Sequence, residues 1–431
     1  MVLALTGFAI ILLLAFAGVP LAFATLGVGF FGVMYLRGAD AALAVSTQWI
    51  IDTSINYNLS IIPLFVLMGA FIHRAGISRD LFAASYAWLG RFRGGLALSG
   101  VLSCAGFAAV CGSSLATAAT MTRVAVPPMR EFKYNDGFSA GTIAAGGTLG
   151  IMIPPSVPLA IYGIVAGQDI GLLFIAGIVP GLLLICLFML AAQVVVLVRP
   201  DFGPAGEAMS LKATLRASFS TWPVIILFGI VLGGIYSGVF TPTEAAGVGC
   251  AGAFVFGLLK GHFRDLASVR GVFEETVATT AMIFAIVFSA LVLAQFVNLT
   301  GMPYQLQAFV LGSQVGPLGL VLMICAVCVV LGMVFESIGI LLLIIPVFLP
   351  SLNALGVDLI WFGILVIIVI ELGLISPPIG MNVFTVKSVA PEIPLGAIFL
   401  GVMPYIVAML IGGVLIILYP QIATSLPGAM R

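Results

Sequence analysis

The sequence predicts an all-α polytopic membrane protein built from two inverted repeats, and three observations carry that reading. Of 431 residues, 62% are hydrophobic and only 7% charged, against about 25% charged in a soluble domain. Two Pro-Pro pairs interrupt apolar runs, in LGIMIPPSVPLAIYG at 149–163 and in LGLISPPIGMNVFTV at 372–386. The segments around the two pairs follow one another in the same order through both halves of the chain.

Taken from the N-terminus, the length allows about a dozen spans of ~20 residues. MVLALTGFAIILLLAFAGVP has no basic n-region and no small-residue cleavage site, so a first span is expected there and not a signal peptide. Aligning Pro154 with Pro377 sets a fixed offset of 223 in the numbering. At that offset the apolar run 59–75 falls on 282–298, and the amphipathic arm 77–92 falls on 300–315. CGSSLATAAT (111–120) falls on VFESIGILLL (334–343), and 171–198 on 394–421. The first repeat is therefore assigned to 1–208, with a hairpin at 97–130 and a broken helix at 137–167. The second is assigned to 209–431, with a hairpin at 316–355 and a broken helix at 359–388. The polar segment RPDFGPAGEAMSLKATLR (199–216) joins them.

Charge orients the halves. One topology places Arg74, Arg79, Arg91, Arg93, Arg123, Arg130, Lys133, Arg199, Lys212, Arg216, Lys260, Arg264, Arg270 and Lys387 on the cytoplasmic side, leaving only Arg37 and Arg431 elsewhere. It puts the N-terminus outside, gives the halves opposite orientations, and makes both hairpins re-entrant. Inverted repeats with broken helices in matching places point to a secondary transporter. Each Pro-Pro pair removes backbone donors at membrane depth. The freed carbonyls suit a cation and the following helix N-terminus suits an anion; a kink that merely packs neighbouring helices is the plainer alternative.

Polar residues at membrane depth are the site candidates. CGSSLATAAT offers Gly112, Ser113, Ser114 and Thr117, either as oxygen donors or as small residues for close helix packing. Ser113 stands as far ahead of Pro154 as Glu336, in MVFESIG, stands ahead of Pro377. Glu371 is read either as facing the site or as a structural acid. Glu244 is expected to act near a helix N-cap with Thr241-Pro242. Ser156 follows the first break, and Asn382 and Thr385 the second. Arg123 and Lys387 are the nearest cations to the midplane, with edge anchoring the favoured role. His73 and His262 fall at membrane edges, and the six cysteines, Cys325 and Cys328 included, read as small packing residues. Zero net charge argues against a nucleic-acid partner. The spans lack the paired nucleophile and base of an intramembrane hydrolase, so no enzyme activity is expected.

GSSLATAA, GGTLGIMIPPSVPLAIYG, GVFTPTEAA and the GLISPPIGMNVF segment together resemble the large membrane subunit of TRAP (tripartite ATP-independent periplasmic) transporters, over essentially the whole chain. The resemblance implies an elevator-type, sodium-driven importer of a small organic acid in a bacterial inner membrane. It also implies a periplasmic substrate-binding protein and a small four-helix membrane subunit as partners. No such subunit is fused ahead of the first span, so a separate chain is expected. The family's sodium sites map onto Gly112, Ser113, Ser114 and Pro154, Pro155, Ser156, and onto Glu336, Ser337 and the run Ser376, Pro377, Pro378, Gly380. An Asp is common in the family where Glu336 stands, and a Thr where Ser376 stands. Sodium is the only metal implied. A self-sufficient carboxylate or oxyanion carrier of similar design is the alternative; such carriers have Ser-Asn-Thr at the hairpin tips, and no SNT occurs in this sequence.

The charge map makes a direct prediction. Cysteines introduced within the 300–315 arm should react with an impermeant thiol reagent in intact cells, and those within 77–92 should not. Equal labelling of both arms would remove the inverted topology.

Overall fold

The computed structural model describes residues 2–263, 265–312 and 315–430. Met1, Arg264 and Arg431, and Ser313 and Gln314 of the second arm, lie outside the described residues. Every regular element among the described residues is helical. Among the described residues, six helices are long and apolar enough to cross a membrane, or up to eight if each bent pair counts as one span. This is fewer than the dozen spans that length alone allows. Apolar helices such as Gly95–Cys111, Pro317–Gly332 and Leu359–Ile375 stop at 16–17 residues, about 25 Å at 1.5 Å per residue, short of a ~30 Å hydrocarbon core.

Local sequence explains where these helices start. Asn135 caps Asp136–Met152 by accepting from Phe138 N at 3.0 Å, and Asp358 caps Leu359–Ile375 by accepting from Ile360 N at 2.8 Å. The two caps are related by the offset of 223, as are both ends of the helices they begin. The same spacing separates both ends of Ser114–Glu131 and Ser337–Ala354. Glu244 closes a capping box with Thr241, whose N–H donates to Glu244 Oε2 at 2.8 Å.

The helices pack in pairs that exchange partners between the halves. Leu21–Arg37 lies against Leu266–Leu299, and Ile61–Arg74 against Pro242–Leu259. Within the first of these pairs, Thr25 Oγ1 donates to Ser289 Oγ at 2.9 Å in a buried setting. These four helices form a framework. The hairpins and broken helices form a second group, interlocked in the same exchanged way: Ser114–Glu131 packs on Met381–Val389, and Ser337–Ala354 on Val157–Ala166.

The tightest crossing in this second group joins Asp136–Met152 to Leu395–Leu418. A Cβ added at Gly401 would lie 1.9 Å from the Gly137 carbonyl oxygen, so bare backbones touch there, as small residues permit in membrane helices. One turn or so further along, Thr142 Oγ1 and the Tyr405 hydroxyl are 2.7 Å apart and buried.

Basic segments distant in sequence meet at one end of the molecule. Trp88 Nε1 donates to Ser218 Oγ at 2.8 Å, Gly94 N to Gly203 O at 2.8 Å, and Glu207 N to the Tyr86 hydroxyl at 3.1 Å. Lys260 pairs with Asp80, and Arg130 with Asp136 and Glu392. The linker between the halves is thereby tied down along the first arm.

Gly401→Ala should destabilise the folded protein by about 1–3 kcal/mol, the usual cost of overpacking, since the clash is with backbone that cannot swing away. Thermal unfolding in detergent measures it; an unchanged transition would show that the crossing relaxes freely.

Candidate functional site

The two hairpins turn through non-helical tips. In the first, Gly112 takes φ +64° and Ser113 starts the next helix, its Oγ accepting from Ala116 N at 3.4 Å. A Cβ on Gly112 would stand 2.9 Å from the Pro155 carbonyl oxygen, so this tip is pressed against the first broken helix. Thr117, fully buried, donates to Ser113 O at 2.7 Å and secures the turn from within. In the second hairpin Glu336 holds the matching N-cap position, but its side chain caps nothing. Its carboxylate is therefore left to other work.

The broken helices meet these tips. Asp136–Met152 and Val157–Ala166 are bent by 42° across 153–156, and Ser156 caps the second piece by accepting from Leu159 N at 3.3 Å. Leu359–Ile375 and Met381–Val389 flank the second break, where Gly380 N donates to Met333 O at 3.3 Å. Both Pro-Pro peptides, 154-155 and 377-378, are cis. The two breaks differ in setting: Pro154 and Pro155 are buried, whereas Pro377 and Pro378 are exposed.

A cavity of about 320 Å³ gathers both tips, a size that suits a small ligand. Gly112, Ser113, Ser114, Glu336 and Ser337 line it, together with Pro158 at the start of the second piece of the first broken helix. Its far wall is framework, from Ile61–Arg74 and Leu266–Leu299. Pro154 faces a different, apolar hollow beside Trp88 and Phe228. Ser376 donates back to Leu372 O at 2.6 Å, and Thr385 to Met381 O at 2.9 Å, so both hydroxyls serve their own helices.

Glu371 and Asn382 carry buried oxygens without full partners. Glu371 is 1% exposed; it interacts with the Ser114 hydroxyl and the Glu336 carboxylate, yet neither of its oxygens has a hydrogen bond of full geometry. Asn382 is wholly buried, donates from Nδ2 to Ala144 O at 3.3 Å, and leaves Oδ1 unpaired. A buried oxygen without a hydrogen bond can be completed by a bound ion or by ordered water. An oxygen-only set of carboxylate, hydroxyl and carbonyl fits a hard cation. Among the described residues no group of three His, Cys, Asp or Glu gathers as a transition-metal site would require.

Of the charged cavity residues, Arg123 and His73 are named from the sequence, and Glu275 escapes such a reading. Lys387 is engaged elsewhere, donating to Pro391 O and Ile393 O at 2.6 and 2.9 Å, as an edge anchor would be. Arg123 lines the cavity wall, and His73 lies opposite it, its Nδ1 3.1 Å from Thr120 Oγ1. Glu275 also lines the cavity. Its neighbour Glu274 pairs with Arg270 on the surface, and one residue further along a helix turns a side chain by about 100°. No spacing in the sequence distinguishes one of these glutamates from the other.

An all-helical membrane protein in which two hairpin tips and the first broken helix line one small cavity between two groups of helices has the build of a membrane transport protein. The family model of the tripartite ATP-independent periplasmic transporter, DctM component, matches residues 8–422, and the chain belongs to that family. It is 35% identical over 376 residues to the C4-dicarboxylate TRAP transporter large permease protein DctM of Pseudomonas aeruginosa, covering 87% of each chain. It is 32% identical over 418 residues to the sialic acid TRAP transporter large permease protein SiaM of Vibrio cholerae, covering 96% of each. Among solved structures, the Alcanivorax borkumensis YdaH transporter shares the fold with a TM-score of 0.61 over 89% of this chain and 90% of that one, at 16% identity.

Gly112→Ala should loosen the first tip. A side chain at positive φ costs about 1–2 kcal/mol, and the Pro155 carbonyl blocks relief. Faster alkylation of the half-buried Cys111 next to it is the expected readout; an unchanged rate would show that the tip tolerates the strain.

Proposed function

We propose that this chain is the large permease of a sodium-coupled importer of a small organic acid in a bacterial inner membrane. The observation that carries the reading is the convergence of Glu336, the Ser114 hydroxyl and the unpartnered Glu371 beneath two hairpin tips, in a chain of this family. Sodium ions are held by tip carbonyls, by Ser113, Ser114, Ser337 and Glu336, and by the buried oxygens of Glu371 and Asn382. The acid sits above them against the tips. Its binding brings a negative charge that the cations offset, and this is the coupling. Relatives are named for C4-dicarboxylate and for sialic acid, so the class of small carboxylates is favoured over any one member.

The two groups of helices support an elevator: the framework stays, and the hairpin group slides with its cargo. The exchanged packing and the constant spacing between matching elements support two halves of opposite orientation, 1–208 and 209–431, with the basic end cytoplasmic. On this topology the cavity opens to the cytoplasm. Capture outside the cell falls to a periplasmic binding protein docking on the opposite face, and a small membrane subunit widens the framework.

Proteoliposomes test the whole reading. Sodium-driven uptake of a radiolabelled dicarboxylate or sialic acid should require the cognate binding protein, and Glu336→Gln should raise the half-saturating sodium concentration about tenfold, equivalent to 1.4 kcal/mol. Robust uptake by this chain alone would favour a self-sufficient carrier, and unaltered sodium dependence in the variant would reduce Glu336 to structure.

A further inference from the structure

The mouth of the tip cavity carries charge for which sodium and substrate binding at the tips have no use. Arg123 and Thr120 stand one turn apart on the hairpin limb Ser114–Glu131, and His73 and Glu275 stand across from them on the framework; all four line the cavity. The charged groups facing His73 are Glu275, Arg123 and Arg74. Arg123 has no ion pair or hydrogen bond among the described residues, whereas Arg130, Lys260 and Arg270 are paired with carboxylates and Lys387 with carbonyls. Among the described residues it is also the one Lys or Arg on this cavity.

The repeat provides an internal control. At the offset of 223, Glu275 corresponds to Asp52, and Asp52 lines a second cavity, of about 750 Å³, between the framework and the other hairpin limb. That cavity keeps the acid but has no cation: Arg123 corresponds to Pro346, which lines it, Thr120 to Leu343, and His73 to Phe296. No Lys, Arg or His lines it among the described residues. A cation beside the acid is thus present in one of the two cavities only, the one that the tips line. A guanidinium in a cavity with low-dielectric walls acts over several ångströms, and it can grip a carboxylate through two parallel hydrogen bonds. Ser113 and Arg123 are separated by about 15 Å of helix, too far for one small acid to bridge. The tips and Arg123 are two stations.

We propose that Arg123, flanked by Thr120 and His73, is a release site that takes the carboxylate of the departing acid at the cytoplasmic mouth. Glu275 competes for the same guanidinium and keeps the acid from being retained. The inference rests on the organic-acid transport reading.

The test uses Ala119→Cys, on the cavity wall beside Thr120, in the full chain with its six native cysteines replaced. Inside-out vesicles are treated with anionic and cationic methanethiosulfonates of equal size. Arg123→Gln should lower the anionic-to-cationic rate ratio about tenfold, the scale on which a focused field changes local ion concentration; Arg123→Lys should restore it and Glu275→Gln should raise it. Succinate or N-acetylneuraminate should slow labelling in the parent and not in Arg123→Gln. An unchanged ratio, protection that survives Arg123→Gln, or no protection by either probe in the parent overturns the release site. Sodium-driven uptake by the same parent chain reports separately on the transport reading, which stands if uptake persists while the release site fails.

Discussion

The structure depends on one constraint: in a bilayer no backbone N–H or C=O can be left without a partner, and this chain breaks its helices at four places within the apolar region. The breaks are tolerable because they are brought together. The first tip presses on the first break, with Gly112 against the Pro155 carbonyl. The second tip bonds the second break, with Gly380 N donating to Met333 O. Each irregular segment supplies what another lacks, and the buried oxygens of Glu371 and Asn382 are among those still without a hydrogen bond.

Packing follows from the same need. A broken helix cannot face lipid on all sides, so the hairpin group lies interlocked, with the returning limb of each hairpin packed on the short helix of the other half. Backbone-to-backbone contact at Gly137 and Gly401 holds that group as a unit. The framework helices carry longer apolar runs and pair by the same exchange. The hairpin group meets the framework across the cavity, and the His73–Thr120 contact crosses that boundary.

The halves are alike in backbone and unlike in chemistry. Ser113 and Glu336 occupy the same N-cap position, one spending its side chain on the helix and the other leaving a carboxylate free. Thr148 and Glu371 correspond at the same offset, a self-bonded hydroxyl against an unpartnered acid. The shared spacing sets the scaffold, and single differences in residue type upon it place the charge.

Much of this was legible in the sequence. Composition decided the membrane class, because a chain with 7% charged residues cannot coat itself for water. The Pro-Pro pairs marked the breaks, since proline removes a donor wherever it stands. The offset of 223 recurs in the caps Asn135 and Asp358 and in the helices they begin, because a cap acts through neighbours a turn away. What only the tertiary structure decided was which polar groups share a space. Glu371 and Ser114 belong to opposite halves of the chain and meet across the core; Arg123 and Lys387 read alike in sequence, yet one lines the cavity and the other ties down a loop. Helix breaks and caps are set by short-range geometry that a sequence displays, whereas a site is made of long-range contacts fixed only when the helices close on one another.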